Sequence, residues 1–237
     1  MHIVIFGANG VTGRLLTRRA LDAGHSAVAV TRRPGEFPIT DPRLTIAAAD
    51  VRLAGLAGIV AGADAVLSTL GVPFTRRPVD TYSVGTRNVV NAMRQSGANR
   101  LVVVSSTGAH PAPGRRGAPL ALRLFEPIIA RTIGKTVYDD IVRMEALVRD
   151  SDLAWTIVRP SGLFDLPEVT NYLAGEVEPV GAFTARIDLA DYLVKLAQDG
   201  AASRKTVVVS TTERTPTVWE MIRREAFKGE APHNVSA

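Results

Sequence analysis

Cysteine is absent from the 237-residue chain, which excludes disulfides and thiolate metal ligands from the outset. Aromatic residues are scarce, at 5% of the total. A nucleic-acid surface ordinarily interleaves aromatic rings with a basic face. Here the basic residues are scattered, in pairs such as Arg18 and Arg19, Arg76 and Arg77, or Arg223 and Arg224. Nucleic acid is therefore the lesser reading, although a net charge of +5 would help attract an anionic ligand. Long apolar runs are missing too. The stretch from His2 to Phe6 is five residues and runs into glycines, too short for a signal peptide or a membrane span. No later segment approaches the roughly eighteen unbroken apolar residues a span needs. A cytoplasmic protein with no membrane partner is expected. The four histidines, at positions 2, 25, 110 and 233, show no metal-ligand spacing, and no metal site is expected.

Short apolar runs rich in β-branched residues or alanine recur instead: "HIVIF" (2–6), "SAVAVT" (26–31), "LTIAAAD" (44–50), "DAVLST" (64–69), "LVVVSS" (101–106), "WTIVRP" (155–160) and "TVVVS" (206–210). They are continuous rather than alternating, as strands buried on both faces should be. Helical periodicity falls between most of them, at 11–23, 82–96 and 135–150, the last with Val137, Ile141, Met144 and Val148 on one stripe. A further helix-like segment covers 217–227, before a polar tail. The alternation predicts an α/β fold: a doubly wound parallel sheet of about seven strands with helices on both faces. One domain over 1–237 is expected. Two irregular stretches, 108–135 and 162–186, follow strand C-termini and are expected to build the substrate region, because open α/β sheets bind ligands at that edge.

"GANGVTG" (7–13) follows the first run directly and opens the first helix. Gly7 permits a tight turn, Gly10 lets backbone approach a pyrophosphate, and Gly13 lets helix pack on strand. The helix N-terminus presents free N–H groups to phosphate. Asn9, Val11 and Thr12 complete this cofactor-binding set. A glycine-rich turn without a ligand gives the same local pattern, but strand–turn–helix context strengthens the nucleotide reading. The second run ends "TRRP", where an NAD-selective site tends to place a carboxylate for the ribose 2′-OH. Thr31, Arg32 and Arg33 stand there instead, a hydroxyl and two guanidiniums that suit a 2′-phosphate. One functional and one solvated arginine are expected, with NADP(H) favoured over NAD(H).

Together with "ADV" (49–51), "STLG" (68–71), "VVVSSTGA" (102–109), "WTIVRPSGLFD" (155–165) and "ARIDLADYLV" (185–194), these motifs resemble an atypical short-chain dehydrogenase/reductase. The resemblance is to the NAD(P)H-binding group that contains biliverdin-IXβ/flavin reductases and NmrA-like proteins. It implies a Rossmann-like fold, with Asp50 at the adenine amino group and Val51 beside the ring. Leu70 and Gly71 would run along the ribose, and Pro160, Ser161 and Gly162 would lie at the nicotinamide. Asp50 also reads as a strand-end turn residue.

Reductases of this kind pair a serine after the fifth strand with Tyr-x-x-x-Lys, the lysine tuning the phenol. The chain has Ser105 and Ser106, then Tyr138, but Val142 at the lysine position. Ser106 and Tyr138 are the candidate catalytic residues. A tyrosine without a neighbouring cation is a competent proton donor but a poor base near neutral pH. Tyr138 also reads as a packing partner of Val142, and Lys135 could share its helix face. Asp139 with Arg143 and Glu145 with Arg149 have i, i+4 spacing and read as solvated surface pairs. His110, next to the expected cleft, reads as a solvated loop residue. Hydride transfer governed by alignment needs no protein acid. Two functions follow: an NADPH-dependent reductase of a small conjugated acceptor such as a flavin, quinone or related carbonyl compound, or a non-catalytic NADP(H)-sensing regulator. Neither the substrate nor the oligomeric state, a homodimer included, is encoded legibly.

Overall fold

The structure is a computed structural model and describes residues 1–110, 132 and 134–216. Most of the expected substrate stretch 108–135 and all of the helix-like segment 217–227 lie outside the described residues. In chain order the elements are β1 (His2–Phe6), α1 (Val11–Asp22), β2 (Ser26–Thr31), β3 (Leu44–Ala48), α2 (Ala57–Val60) and β4 (Ala65–Ser68). Next come α3 (Thr81–Ser96), β5 (Arg100–Val104), α4 (Lys135–Arg149) and β6 (Ala154–Pro160). Short strands β7 (Gly162–Phe164), β8 (Leu173–Gly175) and β9 (Phe183–Ala185) precede α5 (Arg186–Gln198) and β10 (Lys205–Ser210). No helix among the described residues is long and apolar enough to cross a membrane.

Eight strands form the main sheet in the order β3-β2-β1-β4-β5-β6-β10-β8. Every neighbouring pair is parallel except β8 against β10. This is the doubly wound α/β arrangement, and its seven parallel strands are the seven apolar runs of the sequence. Those runs are continuous because alternate residues enter two different cores. Val4 and Phe6 of β1 pack with Val89, Val90 and Met93 of α3 and with Val137, Ile141 and Met144 of α4. Ile3 and Ile5 face the other way, toward Leu16 and Ala20 of α1 and Leu189 and Leu193 of α5. Chain order reverses between β1 and β4, which opens a crevice at their C-terminal ends.

The stretch 162–186 departs from the irregular reading. It contains β7 and β9, which pair in parallel over three residues each, and β8, which adds to the edge of the main sheet. A small apolar cluster of Phe164, Ala182, Phe183, Ala185 and Ile187 lies beneath them. Asp188, fully buried, accepts the backbone N–H and hydroxyl of Thr170, each at 2.8 Å, and the hydroxyl of Thr211 at 2.6 Å. One carboxylate thereby fastens this excursion to α5 and to the end of β10.

Candidate functional site

At the β1–α1 turn, two glycines are required by space. Gly7 has φ +75°, and a Cβ there would lie 2.7 Å from the carbonyl oxygen of Thr69. A Cβ on Gly13 would lie 2.2 Å from the carbonyl oxygen of Gly7, so α1 sits directly on the end of β1. The Gly10 N–H closes the turn onto the Gly7 carbonyl at 3.0 Å, and Gly10 itself is exposed. No side chain caps α1, and no acidic residue lies in its first turn. The helix therefore offers open amide donors and the positive end of its dipole to an anion, with Val11 and Thr12 in that turn. Asn9 holds Arg14, whose Nε donates to its carbonyl oxygen at 3.1 Å and its side-chain oxygen at 3.0 Å.

Beside this turn lie the ends of β2 and β3. Thr31 is buried, and its hydroxyl oxygen accepts the Arg33 N–H at 3.1 Å. Arg33 pairs with Glu36 at 2.9 Å on the surface, while Arg32 is exposed and makes no ion pair among the described residues. One arginine is thus tethered and the other open to a ligand. Asp50 is half-buried and accepts the Arg52 N–H at 2.9 Å, closing a turn with one of its oxygens. Val51 is buried, and its carbonyl oxygen accepts the Asn88 side-chain amide at 3.0 Å.

A residue missed by motif reading shapes this wall. A Cβ on Gly85 of α3 would meet Val51 Cγ1 at 2.9 Å and Leu70 Cδ1 at 3.2 Å. Two expected cofactor neighbours therefore nest against the helix where it has no side chain. The available signal was a lone glycine inside a helical pattern, which usually has a packing reason. Gly71, just beyond, is exposed.

The β5–α4–β6 end is organised around Glu145, whose side chain is 0% exposed. It accepts the Ser105 hydroxyl at 2.5 Å, Arg159 Nε and Nη2 at 2.9 and 2.6 Å, and Arg149 Nη2 at 2.7 Å. His110 Nε2 lies 2.9 Å from the same carboxylate. Burial works to raise its pKa, but the Arg159 guanidinium and the Ser105 hydroxyl outweigh that, with help from Arg149, and hold it at about 2. Glu145 is therefore not half of a solvated pair, and His110 is not simply a solvated loop histidine. The expected Asp139–Arg143 pair gives way as well. Asp139 binds Lys135 at 2.5 Å, whereas Arg143 Nη2 donates to Asp140 at 3.1 Å and to the Val79 carbonyl at 3.0 Å. Asp140, also 0% exposed, accepts the Tyr82 N–H at 2.8 Å and the Ser83 hydroxyl, capping α3 from a neighbouring helix.

With its proton committed to Glu145, Ser105 has no O–H to offer a substrate. Ser106 differs: its oxygen accepts the Gly108 N–H at 3.1 Å, which leaves its own O–H to donate. Tyr138 is half-buried with its phenol against Gly108, where a Cβ would lie 2.5 Å from the phenolic oxygen. Its ring meets Phe74 edge-on, with centroids 5.6 Å apart. Val142 is 41% exposed, and Lys135 is engaged by Asp139. Pro160 is buried and Gly162 exposed, with Gly162 N–H bonded to the Ala182 carbonyl at 3.0 Å. Between them Ser161 donates its N–H to the Thr184 hydroxyl at 2.9 Å, and its own hydroxyl is buried without a partner among the described residues. Among the described residues, no three His, Asp or Glu side chains gather as metal ligands.

A family model described as NAD(P)H-binding matches residues 7–200, and the chain belongs to that family. An uncharacterised protein of Mycobacterium tuberculosis is 35% identical over 150 residues. That match covers 62% of this chain but only 17% of the relative's length. The oxidoreductase ylbE from Lactococcus lactis superposes with a TM-score of 0.74 at 17% identity, covering 98% of this chain and 100% of that one. A wide-type short-chain dehydrogenase/reductase from Veillonella parvula, solved with NADP, gives 0.70 at 19% identity over 90% and 95% of the two chains. ChuY, an anaerobilin reductase from Escherichia coli O157:H7, gives 0.68 at 19% identity over 92% and 100%. These likenesses establish a Rossmann-like α/β fold, and the family match its NAD(P)H-binding class.

Proposed function

We propose that the protein is an NADPH-dependent oxidoreductase that reduces a small conjugated acceptor, such as a flavin, quinone or related carbonyl compound. The observation that carries this reading is the Ser161 hydroxyl at the C-terminal end of β6, buried and unpartnered among the described residues. A buried polar group left unsatisfied costs about 1–3 kcal/mol. A ligand at the reacting end of the cleft removes that cost. By the resemblance the nicotinamide would lie at this residue, and the uncapped α1 terminus and the glycine turn before it suit the rest of the dinucleotide.

NADPH, when bound, supplies a hydride to the acceptor, two electrons and one proton in a single step, and is itself oxidised. The chain binds and orients. The first-turn amides of α1, approached across Gly10, hold the pyrophosphate. Thr31 and Arg32 take the 2′-phosphate, Asp50 the adenine amino group, and Leu70 and Gly71 flank the ribose. Ser161 with Pro160 and Gly162 fixes the reacting end. Ser106 donates its O–H to the acceptor oxygen that gains charge, and Tyr138 adds an auxiliary hydrogen bond. Solvent delivers the remaining proton, so no lysine-tuned phenol is required. The test is NADPH oxidation against a panel of flavins, quinones and aldehydes. Turnover of a conjugated acceptor is expected. Tight NADP(H) binding with no turnover on any acceptor would favour a sensor instead.

A further inference from the structure

Nine large apolar side chains are exposed among the described residues, and Phe74, at 50%, is the aromatic one. A single exposed apolar residue ordinarily needs no explanation. This one is held unusually firmly for its exposure. The segment after β4 is tied down on both sides of Phe74. The Val72 N–H donates to the Tyr82 phenol at 3.2 Å, and the Thr136 hydroxyl donates to the Thr75 carbonyl at 2.7 Å. Further on, Arg143 holds the Val79 carbonyl at 3.0 Å. The ring itself meets Tyr138 at an interplanar angle of 61°. The segment starts at the glycine turn, where Thr69 abuts Gly7, and Tyr138 rests on Gly108 beyond β5. The corner formed by Phe74 and Tyr138 therefore stands on the ligand edge of the sheet, between the two turns that frame the site.

We propose that Phe74 is the acceptor-specificity residue, offering an aromatic wall to a flat, extended π-system while Tyr138 meets that system's edge. The inference rests on the reductase reading and sharpens it, selecting planar acceptors such as isoalloxazines over compact aliphatic carbonyls. A pre-positioned ring loses little entropy on stacking, so its contribution appears directly as affinity.

The test uses riboflavin as probe, titrated by quenching of its fluorescence into the full-length protein saturated with NADP⁺. Wild type, Phe74→Ala and Phe74→Tyr are compared, with melting temperature and NADP⁺ affinity measured on each. Phe74→Ala should weaken riboflavin about five- to tenfold, the range of a lost aromatic contact, with Phe74→Tyr within about twofold of wild type. Equal riboflavin affinity in wild type and Phe74→Ala would overturn the proposal. So would absence of riboflavin binding to wild type, or a parallel loss of NADP⁺ affinity, which would make Phe74 a structural support of the cofactor cleft. Loss of binding in Phe74→Ala alongside no reduction of bound riboflavin by NADPH would uphold the aromatic wall and contradict the reductase reading instead.

Discussion

The β1–α1 turn makes its surface by leaving side chains out, whereas the β5–α4–β6 end is held by charged side chains packed around one carboxylate. At the first, Gly7 and Gly13 allow backbone to touch backbone, and the open amides of α1 are the product. At the second, Glu145 joins Ser105 just past β5, His110 in the following turn, Arg149 on its own helix and Arg159 of β6. The first arrangement is short in sequence, seven residues closed against the Thr69 carbonyl. The second is long-range, and it decides which hydroxyls remain available for chemistry. Ser105 is consumed by it and Ser106 is not.

The largest effect should come from dismantling the second region. Glu145→Ala leaves the Arg159 and Arg149 guanidiniums without their carboxylate, and breaking a buried pair in this way costs about 3–5 kcal/mol. Urea midpoints would read it, and a loss under about 1 kcal/mol would return Glu145 to the status of a surface pair. The same group predicts an acid limb. Its folded pKa of about 2 lies below its ordinary value of 4.5, so its contribution is fully present above about pH 4.5 and is lost as pH falls toward 2. That window is worth on the order of 3 kcal/mol and should flatten in Glu145→Gln.

Gly10→Val attacks the first region with the opposite signature. The φ of −70° tolerates a side chain, so the fold should survive while the pyrophosphate approach is blocked. NADPH affinity should fall on the order of a hundredfold with little change in melting temperature. A folded variant that binds NADPH normally would reduce the motif to a turn. Arg32→Ala is a milder probe of the same region. It should cost NADPH about 1–3 kcal/mol and leave NADH untouched, because only the 2′-phosphate distinguishes them. Equal losses for both cofactors would remove the basis for NADP preference.

This contrast also explains what was legible. Six of the seven parallel strands could be read because both of their faces are buried and their runs are unbroken, while the exposed edge strand β3 was readable from its run alone. The glycine turn could be read because its three glycines fall within seven residues between a strand and a helix, although the Thr69 carbonyl that Gly7 abuts could not. Helix α5 could not, because Ile187, Leu189, Ala190, Leu193, Val194, Leu196 and Ala197 are buried nearly all round it and leave no clean stripe. Strands β7 and β9 are three residues each and pair Gly162 with Phe183, which no local period announces. Glu145 misled for a related reason. Its i, i+4 arginine partner is visible in the sequence, but the groups that bury it, Arg159 and Ser105, are not.

Tyr138 stands where the two regions' lessons meet, and replacing it gives the smallest effect and the most direct test. Its phenol is positioned by Gly108 and Phe74, with Val142 exposed one turn along where a tuning lysine would stand. Steady-state NADPH oxidation by Tyr138→Phe should therefore be measured on the best acceptor from the flavin, quinone and aldehyde panel. Loss of an auxiliary hydrogen bond should lower kcat by about tenfold. A drop of about a thousandfold would make Tyr138 the essential acid and contradict a reaction driven by alignment of hydride and acceptor.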